Sequence, residues 1–99
     1  MMSQPSQTAG AKPPAPTAST TAYKDAATQL QLDMGIRYSG QADKDFAALL
    51  TAYHKGATAI ARIELQHGTD PELRRLAEQT VAANEKEAEL LQAWLSKHR

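Results

Sequence analysis

The sequence contains no cysteine, and this absence excludes disulfide bonds, thiolate metal ligands and cysteine nucleophiles. No window approaches the roughly 18 consecutive apolar residues that indicate a membrane-spanning helix. The formal net charge is +0, from 11 basic and 11 acidic residues, and the two signs are interspersed. The chain therefore lacks the basic stripe of a nucleic-acid-binding protein and the polybasic patch of a membrane-surface protein.

Proline is scarce after the start of the chain, since Pro71 is the only one beyond residue 20. Residues 1–20 are mostly Pro, Ala, Ser, Thr and Gln, which cannot bury enough apolar surface to offset the entropy cost of ordering. We expect a disordered tether there. The opening "MMSQPSQTAG" lacks the apolar core of a secretory signal. We expect either a cytoplasmic protein or one whose export signal preceded this chain.

Residues 21–99 are rich in good helix formers, and no strand-like alternation competes. They predict one helical domain. Its helices are expected at about 22–38, entered from Thr20 or Thr21, at about 42–67, and at about 71–97. The clearest start is "TDPEL", where Asp70 can cap the third helix and Pro71 suits its first position.

Each predicted helix has an apolar stripe at helical spacing. On the first it is Tyr23, Ala26, Ala27, Leu30, Met34 and Tyr38. On the second it is Phe46, Leu49, Leu50, Tyr53, Ala57, Ile60 and Ala61. On the third it is Leu73, Leu76, Ala77, Thr80, Ala88, Leu91, Trp94 and Leu95. These stripes predict an all-α, three-helix up-down bundle, with helices 2 and 3 as a long antiparallel hairpin and helix 1 packed on it.

Two features suggest close contacts beyond that core. Leu32 and Ile36 point away from the first helix's stripe and form a candidate interface. A domain of this size is only marginally supported by its own core, so we expect a homo-oligomer or a protein partner. Gly56 costs about 1 kcal/mol within a helix relative to Ala, and its presence predicts the close approach of another backbone.

The stretch "TAYHKGA" places His54 on the flank of the second helix's stripe, beside Tyr53. An imidazole can bind a metal or titrate near neutral pH. The more common alternative is a boundary histidine with one ring edge in water.

Three further polar residues interrupt the apolar faces: Glu64, Asn84 and Glu87. Buried carboxylates are costly unless they are paired or hydrogen-bonded. Glu64 lies near a helix end and can reach solvent, whereas Glu87 can bond Tyr53, His54 or Asn84 across the hairpin. We favour a structural polar network of Tyr53, Glu64, Asn84 and Glu87 over a ligand role.

Signals for catalysis are weak. "ELQH", from Glu64 to His67, matches the Glu-x-x-His element of di-metal bundles, but such a site needs the element twice. No serine lies in a nucleophile elbow, and there is no glycine-rich phosphate loop. We therefore expect a protein that is not an enzyme.

Three segments resemble the domain of unknown function 305 family, a group of small, ferritin-like, mostly exported bacterial proteins. They are "DMGIRYSGQADKDF", "YHKGATAIARIELQHGTDPELRRLA" and "NEKEAELLQAWL", which together cover most of residues 30–95. The resemblance implies a ferritin-like half-bundle. It also implies a periplasmic or secreted location, although a cytoplasmic one stays open.

Some members of that family are associated with copper through a Met- and His-rich inner surface. The family's His-His pair reads Tyr53-His54 here, and its Gln is replaced by Asn84. Its Met positions read Leu30, Leu50, Ile60 and Leu91. The resemblance thus implies a depleted site, in which His54, Met34 and Glu87 are the candidate metal ligands. We therefore assign no cofactor. We expect self-association or partner binding as the main role, and weak copper binding is the alternative.

Overall fold

The computed structural model describes residues 17–98, which form three α-helices and no strand. They are α1 (Ala18–Asp33), α2 (Ala42–His67) and α3 (Pro71–Lys97). Helices α2 and α3 form the long antiparallel hairpin, and α1 packs on α2. The predicted all-α, three-helix class is confirmed. None of these described helices is long and apolar enough to cross a bilayer.

The start of α1 differs from the prediction. Thr17 caps the helix, because its Oγ1 accepts a hydrogen bond from the backbone N–H of Thr20 at 3.2 Å. The predicted start near residue 22, with Thr20 or Thr21 as the cap, is wrong, and residues 18–20 are helical rather than part of a tether. Several neighbouring Ser and Thr side chains can each cap a helix, so the sequence offers several similar starts. Residues 1–16 of the predicted tether lie outside the described residues.

The end of α1 also comes earlier than predicted, at Asp33 rather than near Tyr38. The N–H of Met34 closes the last turn on the carbonyl of Leu30 at 2.9 Å, and Gly35 follows. Glycine is a poor helix former, and the chain must leave α1 here to reach the start of α2.

The connection from α1 to α2 is tied to the first turn of α2. Both the N–H and the hydroxyl of Ser39 donate to Oδ1 of Asp45 at 2.9 Å. The backbone N–H of Ser39 is the main cause that holds the pKa of Asp45 below its ordinary value. Gly40, with φ of 83°, supplies the left-handed residue that this turn requires.

The hairpin has the predicted bounds, and polar contacts at its turn explain why. Asp70 caps α3 by accepting from the N–H of Leu73 at 2.9 Å. The guanidinium of Arg74 donates to the carbonyls of Leu65 at 2.8 Å and Gly68 at 3.0 Å. These carbonyls lie at the end of α2, where carbonyl groups have no intrahelical N–H donor. Arg74 thus joins the end of one helix to the start of the next.

Helices α1 and α3 lie on nearly opposite sides of α2. Leu30 of α1 packs over Gly56, so closely that a Cβ at Gly56 would lie 2.5 Å from Leu30 Cδ1. Asn84 of α3 contacts His54. Because a helix turns about 100° per residue, Gly56 and His54 point about 160° apart. Within residues 17–98, α1 makes no packing contact with α3 comparable to its contact with α2. The three helices therefore form an open layer with α2 in the middle. The segment that approaches Gly56 does so with the side chain of Leu30, rather than with its backbone as predicted.

The buried core is small. Its apolar members are Ala47, Ala52, Ala61, Ile63 and Ala77. Several large side chains of the predicted stripes were expected in the core and are instead exposed, namely Phe46, Tyr53, Ile60, Leu73 and Leu76. The helices have the predicted apolar stripes. In an open layer, however, no described helix covers the apolar face between α1 and α3.

Candidate functional site

His54 is the buried centre of a polar contact between α2 and α3. Only 7% of it is exposed, so the boundary interpretation with a ring edge in water is wrong. Its Nδ1 lies 2.8 Å from Oδ1 of Asn84, which is also buried. An amide oxygen only accepts hydrogen bonds, so this contact requires the proton on Nδ1. His54 and Asn84 thus form a specific hydrogen bond across the hairpin.

The other ring nitrogen of His54 faces a carboxylate. Nε2 lies 2.7 Å from Oε1 of Glu87, a side chain that is 58% exposed. The two atoms are within ion-pair distance but are not aligned as a hydrogen bond, and the amide nitrogen of Asn84 is likewise buried without a partner. We give the hydrogen bond to Asn84 more weight than the contact with Glu87, because a partly exposed carboxylate is screened by water.

The predicted polar network forms only in part. Asn84 and Glu87 both reach His54. Among residues 17–98, no hydrogen bond joins Tyr53 or Glu64 to this cluster. Tyr53 is half exposed and approaches His54 only with its ring, with centroids 5.7 Å apart. Glu64 lies beside an apolar groove further along the hairpin.

The candidate metal ligands converge only in part, because His54 and Glu87 meet but Met34 does not join them. Met34 lines a groove with Phe46, Leu49, Leu50 and Tyr53. His54 lines a different groove, on the side of α2 that faces Asn84. No group of three or more His, Asp or Glu side chains within the described part of the chain is placed to hold a metal ion. Copper bound at His54 Nε2 would have the carboxylate of Glu87 beside it but would lack the thioether of Met34. The residues present therefore do not fit the copper site that the resemblance implies.

The two residues of the candidate interface, Leu32 and Ile36, lie in different elements of the structure. Leu32 lies on α1 and is 67% exposed. Ile36 lies beyond the end of α1, in the connection to α2, and is only half-buried. Since Ile36 is not helical, the two do not share one helical face as predicted.

An extended apolar surface lies on one side of the helix layer, between α1 and α3. We call it the open face. Its members on the three helices are Tyr23, Phe46, Tyr53, Ile60, Leu73, Leu76 and Leu90, each at least 37% exposed. A large aromatic side chain presents about 150–250 Å², and these seven together expose on the order of 600 Å². That equals the upper end of the largest patch on a typical monomer, about 300–600 Å².

Three grooves make the open face continuous along α2. The first, of about 340 Å³, lies among α1, α2 and α3 and includes Tyr53, Ile60 and Leu76. The second, of about 320 Å³, shares Tyr53 with it and extends to Phe46. The third, of about 450 Å³, shares Phe46 and continues to Leu90 and Trp94. Apolar surface thus runs along most of the hairpin.

The apolar stripes predicted from the sequence include most residues of this face but not all of them. Leu90 was absent from the predicted stripe of α3, although it is 66% exposed. Leu76, Ala83 and Leu90 recur every seven residues, a spacing that keeps side chains on one side of a helix. That repeat is the signal that could have found Leu90.

Fold and site together define an all-α protein: an open layer of three helices with one apolar face and a histidine-centred contact behind it. The chain belongs to the family described as "Domain of unknown function (DUF305)", whose profile matches residues 1–95. The resemblance seen in the sequence is thereby confirmed. No curated protein matches this chain.

Proposed function

We propose that this chain is a non-enzymatic helical module that acts by self-association through its open face. The observation that carries the proposal is the continuous run of exposed large apolar side chains on all three helices. Exposed apolar patches of this size are often functional, and larger ones mark interaction sites.

The small core supports the same proposal. Four of the five buried apolar residues are alanines, and no large side chain among residues 17–98 is fully buried. Domains of this size rarely gain enough stability from such a core alone. A second copy on the open face adds aromatic and leucine burial that the isolated chain lacks, at roughly 25 cal/mol per Å².

A structural role for the polar cluster also supports a module without catalysis. His54 is held by a hydrogen bond to Asn84 and faces the carboxylate of Glu87. Weak copper binding stays an expectation from the family resemblance that no contact in the described residues favours.

A location outside the cytoplasm is part of the proposal. Its support is the Pro/Ala/Ser-rich composition of residues 1–16, which suits a spacer in front of a domain. Fractionation of cells that carry the natural gene tests it, and recovery of the protein in the cytoplasmic fraction alone would contradict it.

Self-association is tested by sedimentation velocity on the full chain over a wide concentration range. Leu76→Glu introduces a charge into the open face, and Leu32→Glu introduces the same charge on an exposed leucine of α1 away from that face. We expect the wild type and Leu32→Glu to dimerise alike, and Leu76→Glu to dissociate at least about tenfold more readily, since a buried unpaired charge is costly.

Circular dichroism confirms that each variant remains helical. A wild type that stays monomeric at millimolar concentration would refute the proposal. So would dissociation caused by Leu32→Glu and not by Leu76→Glu, which would move the interface to the predicted Leu32 surface.

A further inference from the structure

We infer that the occupant of the open face is a second copy of this chain, packed antiparallel with its twofold axis beside Tyr53. This inference rests on the proposed self-association and adds the partner's orientation and register.

The register follows from the middle helix. Phe46, Leu50, Tyr53, Ala57 and Ile60 follow one another at steps of four and three residues. Alternate steps of four and three are the spacing by which two helices pack along a shared seam. Tyr53 is the central member, so the seam extends seven residues in each direction from it.

Antiparallel pairing about Tyr53 keeps identical side chains apart. It places Phe46 opposite Ile60 of the second copy, and Leu50 opposite Gly56, one residue from the small side chain of Ala57. Parallel pairing would set Phe46 on Phe46 and Ala57 on Ala57, which leaves a gap at the alanines. Close packing without voids favours the antiparallel order.

The third helix fits the same orientation. Leu73 and Leu76 are exposed near the start of α3, and Leu90 is exposed near its end. When two layers face each other with α2 antiparallel, α3 of one copy lies along α3 of the other in the opposite direction. Since His54 is level with Asn84, this register places Leu76 of one copy near Trp94 of the other.

The chain's own first residues are a poor alternative occupant. Residues 1–16, "MMSQPSQTAGAKPPAP", contain no Leu, Ile, Val, Phe, Tyr or Trp. They offer only Met1 and Met2 as large apolar side chains, whereas the open face presents seven. The exposed apolar area, on the order of 600 Å² per copy, is close to the roughly 800 Å² per partner of a stable interface. Polar residues at the rim of the open face supply the rest of the interface area.

The absence of cysteine makes the register directly testable. In Tyr53→Cys, the antiparallel pair brings both thiols to the twofold axis. The control is Ala59→Cys, an exposed position about 120° from Tyr53 around α2. In a glutathione redox buffer we expect the Tyr53→Cys chain to form a covalent dimer at least about tenfold faster than Ala59→Cys, because the held thiols have a high effective concentration.

A mixing experiment separates the two orientations. Phe46→Cys mixed with Ile60→Cys should give the mixed covalent dimer, with little product from either alone. Rapid crosslinking of Phe46→Cys with itself would overturn the antiparallel register in favour of a parallel one.

The two proposals fail in different ways. If the wild type sediments as a dimer but Tyr53→Cys crosslinks no faster than Ala59→Cys, the register is wrong and self-association stands. If the wild type is a monomer, the proposed function fails and the inference fails with it. Circular dichroism of each cysteine variant excludes misfolding as the cause.

Discussion

At the scale of single residues, the contact between His54 and Asn84 offers a test of what joins α2 to α3. Both side chains are buried, and their hydrogen bond is 2.8 Å long. Asn84→Ala leaves Nδ1 of His54 buried without its partner. We expect a loss of about 1–3 kcal/mol in the free energy of unfolding, the usual cost of an orphaned buried polar group. Urea denaturation followed by circular dichroism measures it.

Glu87→Ala is the matched control, because it removes the other neighbour of the same imidazole. The Glu87 carboxylate is 58% exposed, so we expect its removal to lower the free energy of unfolding by less than about 1 kcal/mol. Equal losses from the two variants would show that the ion-pair contact matters as much as the hydrogen bond, and would contradict our ranking of the two contacts.

The sequence allowed part of this cluster to be predicted. Asn84 and Glu87 interrupt an apolar stripe, and a polar residue on such a face requires a partner. That Glu87 reaches His54 rather than Tyr53 could not be predicted, because the choice depends on how α3 is rotated about its own axis. Side chains on adjacent positions of α2, such as Tyr53 and His54, differ by about 100° in direction. One of them is therefore buried and the other half exposed.

At the scale of helices, the crossing of α1 and α2 depends on Gly56. Alanine there should gain about 1 kcal/mol from helix propensity. Its Cβ would, however, lie 2.5 Å from Cδ1 and 2.9 Å from Cβ of Leu30. Since Leu30 Cβ is fixed to the backbone of α1, the helix must shift. We expect Gly56→Ala to lower the free energy of unfolding by about 1–2 kcal/mol, as measured by urea denaturation. Amide hydrogen exchange should become faster in α1 only.

The double variant Leu30→Ala with Gly56→Ala removes the clash. It should be more stable than Leu30→Ala alone, because the propensity gain is then no longer opposed. If Gly56→Ala by itself stabilises the protein and leaves exchange in α1 unchanged, Leu30 does not pack on Gly56 as described.

The bounds of the helices were predictable where the sequence carries a single start signal. Asp70 followed by Pro71 fixes the start of α3, and the helix begins at Pro71. At the start of α1, Thr17, Ser19 and Thr20 are all able to cap, and sequence alone does not rank them. The early end of α1 falls just before Gly35, where the chain leaves the helix to reach the start of α2.

At the scale of the whole molecule, the amphipathic stripes predicted three helices but not an open layer. A stripe shows which side of a helix is apolar, and it does not show whether the same chain covers that side. In this protein, Leu30 and Asn84 lie against nearly opposite sides of α2. Tyr53 and Ile60 are left between them. The same residues that were expected in a closed core thus form the open face.

If a second copy covers the open face, the stability of the fold depends on protein concentration. Native dimers are favoured over unfolded chains by mass action. For a domain of this size, we expect the Tm to rise by about 4 °C for each tenfold increase in concentration, since unfolding entropy is about 2.1 cal/mol/K per residue. Differential scanning calorimetry at several concentrations measures the slope. Leu32→Glu should show the same slope as the wild type. Leu76→Glu should have a lower Tm that does not change with concentration. A wild-type Tm that is independent of concentration would mean that this small core folds without a second copy, and the open face would then need another explanation.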